Sequence, residues 1–488
     1  MTMPDPQRLH IHDVQRSAST PPRYIRPPDL EAALDLLAEY GERARIVAGG
    51  TDLLVELDRG MRPDLETLID LSSIDGLDSI HQSRHGIHLG PLVTHNQCVA
   101  SELVQAAALP LAQACWEVGS PALRNRATVV GNIVTASPAN DSLSALVALD
   151  AEVSIASNRG IRTVSVADFT TGVRSTVLAA DELVTGLLIP VRADGAELDR
   201  RGLYLKLGLR RAQAISVVHV AVSMSVSVAG VVSDSRVVLG SVAPTVGRVG
   251  SAESLLDGAR ITDGFIDDAL LAAVANAAAS SVSPIDDLRA TADYRIDQVS
   301  VMVRRALVAL AAGEQARAFP VTPPMIGGPA VPASGMSGVW EQGALLEVTV
   351  DGASIAAPWK PLTLLRWLRD EADITTTKEA CSEGECGACT VRLDGTSVLS
   401  CLVPAARAAG SEITTAAGIG SEVELAPIQE AFVQAAAVQC GFCIPGFIVA
   451  ADALRAEFPS PSQEQIKQGL AGNLCRCTGY YKIEEAVG

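Results

Sequence analysis

The chain has 488 residues, a formal net charge of -18, 48% hydrophobic residues and only 3% aromatics. That length implies several domains with cores of small aliphatic side chains, and an acidic balance without a Lys or Arg run excludes a nucleic-acid binder. No apolar run approaches the ~20 residues that cross a bilayer, and the polar stretch Met1–Ser19 lacks an apolar h-region, so a cytoplasmic protein with no membrane contact and reduced thiols is expected.

In chain order, Leu30–Tyr40 has helical apolar spacing and stops at Gly41, and Arg45–Ala48 reads as a short strand running into Gly49-Gly50. A strand ending in paired glycines can bring backbone N–H groups against a pyrophosphate, although without G-x-G-x-x-G an ordinary strand-to-helix turn is an equal reading. Thr128–Asp141 is a second Gly-bearing loop with small polar side chains, and two such loops favour a nucleotide cofactor. Cys98 and Cys115 stand alone and read as buried apolar residues. A charged stretch, Val191–Arg201, marks a boundary, followed by the alternating strand Val217–Val228, more strands, and Ala-rich helices to Arg317.

Phe319–Gly338 crowds Pro, Gly and Ser together with no helical or strand period, which predicts a linker. Beyond it Leu345–Val350 alternates as a strand into Asp351-Gly352, and Leu362–Leu368 is a short amphipathic helix. Thr390–Leu393 and Ser397–Cys401 form a hairpin around Asp394-Gly395, a type I′ pair. Helices are expected over Ile428–Val438 and Pro445–Glu457, and over Ile466–Leu470 behind a Ser462/Gln465 capping box.

Eight of the ten cysteines fall in this last part, in two sets of four. Cys381, Cys386, Cys389 and Cys401 read C-x4-C-x2-C-x11-C, whose opening is the plant-type ferredoxin spacing for a [2Fe-2S] cluster. Cys440, Cys443, Cys475 and Cys477 read C-x2-C-x31-C-x1-C, at the ends of predicted helices. Iron in such clusters takes soft anionic thiolate, and four thiolates complete two bridged tetrahedra. Structural zinc and disulfides are the competing uses of cysteine foursomes. The long Gly-rich loop from Cys381 to Cys389 does not repeat the C-x2-C pairs of a zinc ribbon, and a reducing compartment disfavours disulfides. Gly384 and Gly387 let the backbone aim N–H groups at the cluster, and the helix opening at Pro445-Gly446 turns its positive end toward the second set.

Glu383–Thr390, Gln439–Gly446 and Asn473–Tyr480 closely resemble the two-cluster iron–sulfur module of the molybdenum hydroxylases, the xanthine dehydrogenase family. Ala48–Asp52, Gly119–Asn125, the Gly131-Asn132 to Asp141 loop, Lys206–Arg211, Gly240–Pro244 and Ser283–Arg289 resemble the FAD subunit of the same family. The resemblance implies an α+β multidomain chain. A tail over 1–20 precedes an FAD-binding α+β domain over 21–195 and an α/β flavoprotein C-terminal domain over 196–317. A linker over 318–340 leads to a ferredoxin-like β-grasp [2Fe-2S] domain over 341–418 and a helical-bundle [2Fe-2S] domain over 419–488.

It further implies that Arg45, Ile46, Val47, Ala48, Gly49, Gly50, Thr51, Asp52 and Leu53 cradle the FAD pyrophosphate. Thr128, Gly131, Asn132, Thr135, Asp141 and Lys206 would contact the cofactor, Val118 and Val184 would lie near the isoalloxazine, and Gln439 would touch a pterin. Family members commonly carry Gly-Gly where this chain has Val130-Gly131. No molybdenum-binding domain is present in the sequence, so molybdopterin and substrate oxidation, with the catalytic residues, are expected on a separate large subunit of a hetero-oligomer such as a dimer of heterodimers. Electrons would pass through both clusters to FAD and on to NAD, with a purine such as xanthine or hypoxanthine as substrate. Another N-heterocycle, an aldehyde or CO is the alternative, and a stand-alone flavin and iron–sulfur reductase is the second.

Overall fold

The computed structural model describes residues 23–191, 198–327, 336–421 and 423–488. The expected tail over 1–20, residues 328–335 of the expected linker and part of the boundary at Val191–Arg201 lie outside them. The first sheet has the strand order Gly338–Glu341, Arg23–Arg26, Thr67–Asp70, Ala44–Val47. Its last three strands are parallel, and the helix Leu30–Tyr40 supplies the crossover, capped by the Asp29 carboxylate and ended at Gly41 with φ 53°. A five-stranded antiparallel sheet follows, Ile80–Ser83, Gly86–Leu89, Leu183–Pro190, Glu152–Ser157, Gly160–Ser165 in spatial order. The helices from His95 to Ala148 pack on it in an apolar core containing both Cys98 and Cys115.

The next unit is an antiparallel sheet, Leu198–Gly208, Ser216–Ser227, Val232–Gly240 and Gly247–Arg248, covered by Gly250–Leu256, Asp268–Ala279 and Ala292–Ala311. The iron–sulfur part opens with a five-stranded sheet, ordered Ala353–Pro358, Leu345–Val350, Glu412–Thr414, Thr390–Leu393, Thr396–Leu399. Its central pair Leu345–Val350 and Glu412–Thr414 is parallel, and Leu364–Asp370 packs against the sheet. Pro427–Gln434, Ile444–Glu457, Gln463–Gly469 and Tyr481–Val487 close the chain as a small bundle. No helix among the described residues is long and apolar enough to cross a membrane.

Two expected elements shift. The helix predicted over Ile428–Val438 stops at Gln434, because Ala436 adopts a left-handed φ of 53° and turns the chain toward the second cysteine set. The stretch Phe319–Gly338 is not a bare connector where it is described. The Glu457 carboxylate accepts from the Met325 and Ile326 amides, and Gly338–Glu341 pairs antiparallel with Arg23–Arg26. Trp340 meets Tyr24 edge to face at 6.3 Å, in one core that also holds Val47, Leu68, Leu346 and Trp367. Flavin and iron–sulfur parts thus share a hydrophobic core, each fully buried large side chain contributing about 1.5–3 kcal/mol.

Candidate cofactor sites

A cleft of about 420 Å³ opens where the strand Ala44–Val47 meets the helices after Arg126. Arg45, Ile46, Ala48, Gly49, Gly50, Thr51, Asp52, Leu53, Thr128, Gly131, Asn132, Thr135 and Val184 line it. Val47 does not, since its side chain is buried behind the strand in the shared core. The cradle needs glycine. A Cβ on Gly49 would stand 2.3 Å from the Arg126 carbonyl oxygen, and Gly50 has φ +76°. Thr128 caps the helix Val129–Thr135 by accepting from the Gly131 amide at 2.9 Å. Val130 is buried and belongs to the core cluster, and it also reaches the cleft wall beside Gly131.

The cleft also contains groups without a sequence signal. Glu56 joins Arg62 at 2.9 Å and Arg174 at 2.6 Å, bringing two cations to its wall. Burial raises the Asp52 carboxyl against the opposing charge of Arg174. His95 is fully buried, which lowers its imidazole to about 3 and keeps it neutral. Its Nδ1 lies 3.2 Å from Cys115 Sγ, and among the described residues its Nε2 has no hydrogen-bond partner.

Asp141, Lys206 and Val118 sit together elsewhere. Lys206 Nζ donates to Asp141 Oδ2 at 2.7 Å and to the Glu117 carbonyl at 2.9 Å, and Tyr204 Oη donates to Asp141 Oδ1 at 2.6 Å. The Val118 carbonyl accepts from Arg124. Gln439 is not among the residues that line the cleft and adjoins Cys440 in the helical part.

In the first cysteine loop Cys381 Sγ accepts from the Glu383 amide at 3.5 Å and the Glu385 amide at 3.3 Å. The Cys386 thiol beside it and these amides bring Cys381 down to about 5 despite burial. Cys389 and Cys401, both free, make a second hydrogen-bonded pair of thiols, the Cys401 turn held by Ser400 donating to the Cys389 carbonyl at 2.7 Å. Cys443 pairs with Cys475, and Cys477 with Cys440. Burial raises the Cys475 thiol, but the Thr478 hydroxyl at 3.1 Å and amide at 3.4 Å outweigh it and lower it. Among the described residues no three His, Cys, Asp or Glu side chains converge as for a single ion. Two pairs of thiols in each set instead fit a two-iron cluster, in which each iron takes two thiolates.

The sites interlock. The Leu474 amide donates to the Cys386 carbonyl at 2.9 Å, and Asn473 Nδ2 to the Gly387 carbonyl at 3.1 Å. Gly387 has φ +70°, and a Cβ there would lie 2.3 Å from the Gly472 carbonyl. The same loop is fixed to the flavin part by Gln213 Nε2 donating to the Gly384 carbonyl at 3.2 Å, Arg210 to Glu385 at 2.8 Å and Arg59 to Glu383 at 2.6 Å.

Residues 16–192 match the model described as the FAD binding domain in molybdopterin dehydrogenase, 204–310 the CO dehydrogenase flavoprotein C-terminal domain, and 415–488 the [2Fe-2S] binding domain. The nicotinate dehydrogenase small FeS subunit of Eubacterium barkeri is 48% identical over 124 residues, 25% of this chain and 79% of the relative. The nicotine 6-hydroxylase medium subunit of Paenarthrobacter nicotinovorans is 32% identical over 287 residues, 59% of this chain and 96% of the relative. The chain belongs to the molybdenum hydroxylase family. Within it this molybdenum hydroxylase chain is an electron-transfer subunit with FAD-binding and [2Fe-2S] domains. A chain of carbon monoxide dehydrogenase from Hydrogenophaga pseudoflava superposes with a TM-score of 0.56 at 31% identity, covering 61% of this molybdenum hydroxylase chain and 99% of that one.

Proposed function

We propose that this chain connects a separate molybdopterin-bearing large subunit, which oxidises an N-heteroaromatic substrate, to NAD. When bound, clusters carry electrons singly and a flavin stores two, which matches a two-electron substrate oxidation to a hydride acceptor. Cys440, Cys443, Cys475 and Cys477 hold the cluster nearer the large subunit, with Gln439 at its pterin. Cys381, Cys386, Cys389 and Cys401 hold the other. The walls from Arg45 to Leu53 and from Thr128 to Thr135 hold FAD pyrophosphate, with Asp141, Lys206, Val118 and Val184 toward its ring.

The supporting observation is the Leu474 N–H to Cys386 carbonyl bond, which ties the neighbour of one proposed ligand to another in the opposite set. Gln213 and Arg210 extend the contact to the flavin part. A nitrogen ring as substrate class rests on the names of the nicotinate and nicotine relatives, and a purine is the first ring to test. In the native complex, Cys440→Ser is expected to stop substrate-driven flavin reduction and spare NADH-driven flavin reduction. Loss of both contradicts the order. Purification from a molybdopterin-producing host without a molybdenum-containing large subunit would favour the stand-alone reductase instead.

A further inference from the structure

Gln213 belongs to the flavin part, yet its side chain ends in the first cysteine loop. It is 9% exposed and holds a left-handed φ of 52°, a conformation that a residue with a Cβ keeps only where its surroundings impose it. Its amide donates to the Gly119 carbonyl at 3.1 Å, and its own carbonyl accepts from Arg210 Nε at 3.1 Å and Nη2 at 2.6 Å. So held, the side chain donates through Nε2 to the Gly384 carbonyl at 3.2 Å, in a buried contact. A carbonyl only accepts, which fixes the Gln213 amide with its nitrogen toward the loop.

The peptide group that receives this bond also serves a cysteine. The Gly384 carbonyl and the Glu385 amide are the two ends of one planar unit, and the Glu385 N–H donates to Cys381 Sγ at 3.3 Å. Donation into the oxygen of a peptide makes its N–H a stronger donor, so hydrogen bonds in series reinforce one another, most of all away from water. Gln213 Nε2, the Gly384–Glu385 peptide and Cys381 Sγ form such a series, running from the flavin part to a sulfur of the iron–sulfur part. Arg210 supports it twice, through the Gln213 carbonyl and through its pair with Glu385 at 2.8 Å.

We infer that Gln213 is a positioning residue that raises the reduction potential of the cluster on Cys381, Cys386, Cys389 and Cys401 through the Gly384–Glu385 peptide, an inference that rests on the proposed assignment of those four ligands. N–H donors to the sulfurs stabilise the added electron, so losing Gln213 as a donor shifts the reduction equilibrium toward the oxidised form. The test is a redox titration of the FAD- and cluster-loaded protein, with electron paramagnetic resonance following each reduced cluster. Cys386→Ser identifies the relevant signal by removing it. Gln213→Met keeps the length of the side chain and removes the donor. It is expected to shift that cluster's equilibrium at least threefold, about 30 mV at 59 mV per tenfold for one electron, with the other cluster's potential and the iron and flavin contents unchanged. Gln213→Asn, which accepts left-handed backbone more readily but is one methylene short, should give the same fall. An unchanged or higher potential in either folded variant, an equal fall in both clusters, or loss of iron from both variants would overturn the inference and leave the ligand assignment standing. Survival of both reduced-cluster signals in Cys386→Ser would instead overturn the assignment.

Discussion

At position 49 one methyl group decides whether the cofactor cradle keeps its shape. A Cβ there would meet the Arg126 carbonyl at 2.3 Å, and a backbone oxygen cannot swing aside as a side-chain tip can. Gly49→Ala is expected to lower flavin content at least tenfold, read as absorbance of released FAD per protein, with iron and sulfide content retained. His95 gives a pH prediction. Its ring is held neutral to about 3 in the fold against an ordinary value of 6.5, so the unfolded chain binds the extra proton as pH falls between those values. Stability is therefore lost on acidification, by up to ~1.4 kcal/mol per pH unit. His95→Asn should flatten the fall of the urea midpoint from pH 7 to 4.5, followed by flavin fluorescence. An equally steep fall in the variant would remove His95 as the cause.

Among the elements, the hairpin that returns Cys401 to its set depends on two left-handed residues, Asp394 with φ 49° and Gly395 with φ 84°. Among the described residues nothing lies within 4 Å of a Cβ at Gly395, so Gly395→Ala carries only the backbone cost, about 1 kcal/mol. The expected outcome is a slightly lower thermal midpoint with unchanged iron content. This turn was legible because Asp-Gly between alternating apolar residues is a local signal. So were the helix Leu30–Tyr40, bounded by a carboxylate cap and a glycine, and the Ser462/Gln465 capping box, which forms as expected. The end of Pro427–Gln434 was not legible, since no glycine or proline announces the left-handed Ala436. The cysteine sets could be read from spacing alone. His95 and the Glu56, Arg62 and Arg174 cluster could not, because their meeting in the cleft is made by tertiary packing between distant segments.

For the whole molecule, the union of flavin and iron–sulfur parts rests on a shared core more than on charge. The Arg59–Glu383 and Arg210–Glu385 pairs are about half exposed, and such pairs contribute at most ~1 kcal/mol each. Buried polar bonds add specificity: Asn125 Nδ2 donates to the Met325 and Ser397 carbonyls at 3.0 and 2.9 Å. Co-expression of residues 1–330 and 331–488 as two polypeptides is therefore expected to give a pair that copurifies in 0.5 M salt, with flavin and iron both present. Separation of the two pieces under those conditions would show that the peptide link, and not the interface, holds them. The boundary itself was misleading in sequence. Pro, Gly and Ser marked a break in periodicity, but the pairing of Gly338–Glu341 with Arg23–Arg26 is a non-local choice that composition does not encode.

That pairing also sets a clock. Arg23–Arg26 emerges early in synthesis, yet the strand that covers its outer edge ends at Glu341. At ribosomal speeds of about 5–20 residues per second, the edge waits roughly 15 to 60 s for its neighbour. An uncovered strand edge is a template for wrong pairing throughout that interval. The nascent flavin part is thus a natural client for a chaperone until the first strand of the iron–sulfur part arrives, and a ribosome stalled before Gly338 leaves behind a molecule that carries its own mark of incompleteness.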